Sequence, residues 1–377
     1  MNKKITQIAP TNIVQKFLQS QNLDSFAYLG DENQTSRMTF LDKNENPFSP
    51  PLGDLDSLQL SKLLKNYPDP NSVPFINQLS KYLGLPTSFL LAGSGSDELL
   101  DLIVRTYATS KDSILSVEPS FSMYEFYTKI CGAKYESIPL KLNLDEYAGI
   151  AQYDLDEELF IEKAKDSKII ILARPNNPDG MSIPINFIKQ LLDLRVLVIV
   201  DEAYIDFSKK PCIKDLVKTF DNLIVSRSFS KSYSFAGLRL GYVIANPSII
   251  KILNYVKSPY NVNNLALQFG SLLLKKQDDV NQNIEKVIEN REIFYKDLCR
   301  MRKNITQFYI HPSDANFILL RFQNSKIAES LYRYFLQYNI KIRKFMGALS
   351  NCLRISIGTQ LEMSKVIKIM KLFFEVK

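Results

Sequence analysis

One lysine, Lys231, lies in a hydroxyl-rich loop between two apolar runs, within the stretch Leu223 to Val243 that reads L-I-V-S-R-S-F-S-K-S-Y-S-F-A-G-L-R-L-G-Y-V. Burial between strands disfavours an ammonium, lowers its pKa and leaves a nucleophilic amine, which is what Schiff-base chemistry requires. Ser228, Ser230, Ser232 and Ser234, with Arg239 after them, offer hydroxyls and a guanidinium suited to an anion, most simply a phosphate ester. A polar loop with an ordinary lysine has the same composition, so the rest of the chain decides. His311, followed by Pro312, is the only histidine. A Ser-His-Asp triad or a multi-histidine metal site would have to be built on that imidazole, which reads as a surface or packing residue, and no metal site is expected. Proton transfer then falls to Lys, Tyr or carboxylates.

The elements that must position these groups follow from periodicity. Short β-branched runs at Ile114–Val117, Lys168–Ala173 and Val196–Val200 each lead into a polar loop and a helical stretch, the pattern of parallel strands with crossover helices. Ligands in such sheets bind beyond the carboxyl ends of strands. Tyr124, Asn177, Asp201, Tyr204 and Lys231 all fall on or just after those ends. Leu90 to Arg105 passes through Gly93 and Gly95 into an amphipathic helix whose first amides, at Ser96, Asp97 and Glu98, have no partner within it, as in a phosphate site. Leu41–Pro51 (L-D-K-N-E-N-P-F-S-P-P) and Tyr67–Asn71 (Y-P-D-P-N) are proline-rich and predict extended or turned chain. After Ala245 the pattern turns helical, then alternates strands near 315–321, 340–343 and 352–357 with helices near 327–338 and 362–374. Arg354 stands inside an otherwise apolar strand, where a guanidinium needs either a structural partner or a substrate anion.

The expected organisation is α/β: an N-terminal arm over 1–40, a large domain with a mostly parallel sheet over 41–260, and interdomain helices with a smaller α+β domain over 261–377. The arm has a short helical pattern at Ile13, Val14, Phe17 and Leu18. The formal charge of +7 is spread without a dense basic run, which gives nucleic-acid binding no support and fits small anionic substrates. Cys131, Cys212, Cys299 and Cys352 are widely spaced, as expected of reduced thiols in a cytoplasmic protein. No apolar run approaches the roughly 18 residues of a membrane span.

Together N-E-N-P-F, Y-P-D-P, G-S-G-S-D-E-L, E-P-S-F-S-M-Y, P-N-N-P-D-G, D-E-A-Y, S-x-S-K with A-G-L-R-L-G-Y, S-P-Y-N-V-N, A-N-F-I-L and L-R-I-S-I-G resemble the fold-type I pyridoxal-phosphate (PLP) aminotransferases, most narrowly their histidinol-phosphate branch. The resemblance runs from about Leu41 to Thr359 and implies a homodimer with active sites at its interface. It implies that Lys231 bonds PLP, that Asp201 faces the pyridine nitrogen, that Asn177 and Tyr204 hold the ring hydroxyl, and that Tyr124 stacks on the ring. Ser228, Ser230, Arg239 and the Ser96–Glu98 amides would cradle the phosphate, with Tyr67 reaching it from the other subunit. Arg354 and Arg343 would take the substrate's anionic end, near Glu45 and Asn46, with a 2-oxo acid such as 2-oxoglutarate as acceptor. Two departures, Asp179 where threonine is common and the bulky S-Y-S-F after Lys231, are expected to lie near the substrate. They keep open an aminotransferase of another small phosphorylated amine or of an aromatic amino acid, or a decarboxylase of O-phospho-amino acids such as phosphothreonine or phosphoserine. A non-catalytic PLP-binding regulator is disfavoured by the lack of a basic helix-turn-helix pattern ahead of Leu41.

Overall fold

The computed structural model describes residues 11–20, 38–52 and 57–375. Two seven-stranded sheets organise them. The second sheet contains β1 (Thr39–Leu41), β5 (Lys141–Asp145), β6 (Ile150–Asp154), β11 (Phe308–Ile310), β12 (Phe317–Phe322), β13 (Ile340–Lys344) and β14 (Cys352–Ser356). The first contains β2 (Leu90–Gly93), β3 (Ser113–Glu118), β4 (Lys134–Pro139), β7 (Ile169–Ala173), β8 (Leu197–Asp201), β9 (Leu223–Ser228) and β10 (Gly241–Ala245), in the spatial order β2-β10-β9-β8-β7-β3-β4.

From β9 through β8, β7 and β3 to β4 the first sheet is parallel, and only β10 runs antiparallel to its neighbours. Its central strands are Ile/Val/Leu runs because both faces are covered. Alternate residues of β7 feed different cores: Ile170 and Leu172 join the larger apolar cluster, Ile169 and Ile171 the smaller one behind it. The register sets Ala173 beside Asp201 and Asp201 beside Ser226, so the loops after β7, β8 and β9 leave from one edge of the sheet. Gly241 on β10 sits between Ser228 and Gly93, which brings the start of the helix Gly95–Tyr107 against the lysine loop.

The second sheet draws on more of the chain than 261–377. The hairpin β5–β6 extends it through a parallel contact of Ile150 with Ile310, and β1 pairs in parallel with β13. Strand pairing across sequence distance is set by tertiary packing, which no local pattern encodes. The β1 pairing matters most for function, because it delivers Asp42–Glu45 beside Arg354 of β14. The larger core continues from the first sheet into Ile318, Leu320, Leu353 and Ile355 of the second, so the lobes share packed interior. The helix Gln277–Arg302, about 39 Å long at 1.5 Å per residue, runs between them.

Of the expected arm, the helix Asn12–Ser20 is described, with Ile13 lying against Gly132; residues 1–10 and 21–37 lie outside the described residues. Among the described residues no helix is long and apolar enough to cross a membrane.

Candidate active site

A cavity of about 570 Å³ opens at the carboxyl edge of the first sheet and is closed by Arg354 and the segment after β1. It gathers Lys231, Asp201, Tyr204, Tyr124, Asn177, Ser228, Ser230, Arg239, Ser96, Asp97, Glu45 and Arg354 from separate parts of the chain.

At one end lies an anion cradle. Gly95 adopts φ +80°, and a Cβ there would strike the Arg239 guanidinium at 2.5 Å. Arg239 donates to Ser230 Oγ (3.1 Å) and Asp97 Oδ2 (2.8 Å), while the Ser230 amide donates to Ser228 Oγ (3.1 Å). The first turn of the helix Gly95–Tyr107, two serine hydroxyls and a guanidinium thus converge where a phosphate fits. The other two loop serines serve the fold. Ser232 Oγ donates to Asp206 Oδ2 (2.6 Å), a carboxylate also paired with Arg227, and Ser234 takes a left-handed backbone of φ 58°.

Lys231 reaches the middle of the cavity, where Nζ donates to the Lys43 carbonyl at 2.7 Å. Burial, with the Arg354 charge adding, pulls its pKa down to about 8, as nucleophilic use requires. Asp201, at the end of β8, is raised to about 6 by burial despite a 2.9 Å hydrogen bond from Tyr124 Oη. A buried carboxylate held this way is suited to a partner carrying a proton or positive charge, such as a pyridinium. The Tyr124 hydroxyl is pushed well above its usual range by burial and by Asp201. At the far end Arg354 donates to Asn177 Oδ1 and to the Asp42 carbonyl (2.9 Å). Cradle, amine, buried carboxylate and distal guanidinium are the parts a phosphorylated pyridine aldehyde and an anionic substrate need.

Four expected residues place no side chain in the cavity. The Glu98 carboxylate turns back to accept from the Ser94 amide and from Asn261 Nδ2 (3.1 Å), as an acid in a first helical turn does, leaving only its amide for the cradle. Asn46 instead pins the N-E-N-P turn, donating to the Ser232 carbonyl (3.3 Å) and accepting from the Phe48 amide (3.1 Å). Tyr67 is 82% exposed and stacks on Tyr260 at 4.7 Å, away from the cavity of its own chain. Arg343 sits on β13 directly across from Arg354 on β14, beside the cavity and over the Phe345 ring.

The two sequence departures lie elsewhere than expected. Tyr233 and Phe235 are buried and pack on Phe229 and Phe269, and Asp179 is buried against Asn176 and the Met181 amide. None lines the cavity, so these changes repack the scaffold and do not reshape the substrate end. His311 is 1% exposed beside Tyr153, with its pKa pushed down to about 3 by burial and by Arg321, a packing residue. Sequence reasoning missed Asp42, Lys43, Asn44, Phe121, Met123 and Tyr127, all of which line the cavity. The first three stand inside the L-D-K-N-E-N-P motif, where a proline-rich run reads only as extended or turned chain.

The sequence profile for aminotransferases of class I and II matches residues 21–370. A histidinol-phosphate aminotransferase of Pyrococcus furiosus is 34% identical over 339 residues, covering 89% of this chain and 92% of that protein. Among solved structures, the histidinol-phosphate aminotransferase of Clostridium acetobutylicum superposes with a TM-score of 0.78 at 26% identity, covering 90% of this chain and 99% of that one. The L-threonine-O-3-phosphate decarboxylase of Porphyromonas gingivalis has the same fold, with a TM-score of 0.71 at 25% identity, covering 90% and 100%.

Proposed function

The chain belongs to the class I and II aminotransferases, a PLP-dependent family, and on that footing we propose that it moves the amino group of histidinol phosphate to a 2-oxo acid such as 2-oxoglutarate. The observation that carries the reading is Lys231, an amine near pKa 8 set in one cavity between an anion cradle and a buried guanidinium.

When bound, PLP supplies an aldehyde that condenses with amines and a ring that withdraws electrons from the carbon bearing the nitrogen. Lys231 would hold that aldehyde through Nζ. Asp201, held by the Tyr124 hydroxyl, would keep a proton on the pyridine nitrogen, and Asn177 and Tyr204 would bind the ring hydroxyl; Tyr124, 0% exposed and turned onto Asp201, has no free face to cover the ring as the sequence resemblance implied. Ser228, Ser230, Arg239 and the amides of Ser96, Asp97 and Glu98 would bind the cofactor's phosphate. Once the substrate amine has taken its place, Lys231 would act as the base at the carbon carrying that amine. Arg354, with Arg343 across the strand pair, would hold the substrate's phosphate, and Glu45 would border the same end.

The working unit in this reading is a cytoplasmic homodimer. Tyr67 and Tyr260, 82% and 46% exposed, stack on one another and form an aromatic surface that a second copy would cover while Tyr67 reached the neighbouring cradle.

The test is direct. Purified protein with PLP, histidinol phosphate and 2-oxoglutarate should form glutamate, faster than with phenylalanine or tyrosine as donor. Carbon dioxide from O-phosphothreonine, without glutamate formation, would replace the reading with a decarboxylase.

A further inference from the structure

Asn44 is 1% exposed, lines the cavity and adopts a left-handed backbone, φ 54°, a region that asparagine tolerates better than most residues. Its hydrogen bonds form a directed set. The Asn44 amide N–H donates to Ser356 Oγ (2.8 Å), and Ser356 Oγ donates its proton to Asn44 Oδ1 (3.0 Å). With Oδ1 fixed as acceptor, Nδ2 must face the other way, and it donates to Tyr204 Oη at 3.1 Å. The carbonyl of Asn44 is held in turn by Asn316 Nδ2 (3.0 Å).

Two consequences reach the chemistry. A phenol oxygen that accepts from Asn44 directs its own proton away from Asn44. The peptide joining Lys43 to Asn44 is trans, so its N–H and C=O point in opposite directions: Ser356 anchors the N–H, and the C=O is aimed at Lys231 Nζ, 2.7 Å away. We propose that Asn44, set by Ser356, is a positioning residue that aims both the Tyr204 hydroxyl proton and the Lys231 amine into the cavity. Linked donors polarise one another, so the set acts as a unit.

The inference rests on Lys231 and Tyr204 being cofactor contacts, and the test separates the two claims. A hydroxyl donating to the cofactor's ring oxygen stabilises negative charge there and lowers the pH at which the Lys231 linkage loses its proton. Asn44→Asp keeps the size and tolerates the left-handed backbone, but offers Tyr204 an acceptor and turns its proton back. Asn44→Gly keeps the backbone and removes the amide. Ser356→Ala keeps the amide and removes what orients it.

The measurement is the pH titration of the visible absorption band of PLP-loaded protein, with the PLP dissociation constant from equilibrium dialysis. The Asn44→Asp midpoint should rise by about one pH unit, with a smaller rise in Asn44→Gly and the smallest in Ser356→Ala. The dissociation constant should rise about tenfold in Asn44→Asp. Should Asn44→Asp fail to fold, the other two variants decide by the same shift. Midpoints equal to wild type, or equal in Asn44→Asp and Asn44→Gly, would overturn the role of Asn44 and leave the cofactor reading standing. Wild-type protein that takes up no PLP at Lys231 would end both.

Discussion

A methyl group added at Gly241 tests whether the anion cradle depends on close backbone approach. The Cβ of Gly241→Ala would lie 2.6 Å from the Gly95 carbonyl carbon, 2.6 Å from the Ser96 nitrogen and 3.0 Å from the Arg227 carbonyl oxygen. All three are main chain, so no side chain can swing aside. Ordinary contact begins near 3.4 Å, and the start of the helix Gly95–Tyr107 must part from β10 by about 0.8 Å. Hydrogen bonds from its amides to a bound phosphate would then lengthen from about 2.9 Å to beyond 3.5 Å, where little remains of them. Overpacking of this kind costs about 1–3 kcal/mol. In the empty protein the helix start can relax outward, whereas a bound phosphate pulls it back against the methyl, so much of the cost should appear in binding. That corresponds to a PLP dissociation constant raised about 5- to 150-fold. Equilibrium dialysis reads this directly, and circular-dichroism melts of the empty protein report the stability share. Gly84→Ala is the control, because its Cβ would meet nothing within 4 Å and it lies outside the cavity, so its left-handed φ of 65° costs stability alone and PLP affinity should stay within about twofold. Wild-type affinity in Gly241→Ala, or equal losses in both variants, would refute the argument.

Other perturbations probe separate parts of the site. Lys231→Ala should lose borohydride-fixed labelling by PLP and all steady-state transamination, and retained turnover would remove Lys231 from its role. In the unaltered protein the rate of PLP capture should rise with pH and reach half its maximum near about 8, where Lys231 loses its proton, well below the 10.5 of a free lysine. Arg354→Leu should raise that midpoint, because it removes the cation that helps to expel the proton. It should also raise KM for the phosphorylated substrate on the order of 100-fold, the loss expected when an enclosed charge pair is broken, with far less effect on PLP retention. His311 is held near pKa 3 in the fold against 6.5 when free, so the unfolded chain binds a proton the folded chain refuses. Its contribution is therefore intact above pH 6.5 and lost as pH falls toward 3. Wild type should lose stability relative to His311→Phe across that window, by about 1.4 kcal/mol per pH unit, in denaturant titrations at stepped pH.

The parts of the site that local sequence could announce are those carried on single loops of one sheet. A β-branched run that ends in a polar residue marks both the end of a strand and the edge where a ligand can bind, which is why the positions of Asn177, Asp201 and Lys231 are legible in the chain itself. The glycine-led helix start marked a candidate anion site in the same way, because its first amides lack partners within the helix, although a capped helix with acids in its first turn has the same composition. Residues whose task depends on a distant partner were a different matter. The L-D-K-N-E-N-P segment has turn chemistry and nothing more, and becomes cavity wall only because β1 pairs with β13 some 300 positions later in the chain and is thereby carried to Ser356, Tyr204 and Lys231. The same gap explains the misplaced bulk of Tyr233 and Phe235. Their neighbours in sequence line the cavity, yet a loop reverses direction over so few residues that adjacent side chains point into cavity and core, and only the packing partners Phe229 and Phe269 decide which. Sequence thus marks where chemistry can occur, whereas the side chains that hold those groups in place, Asn44 above all, are brought there by pairings between strands.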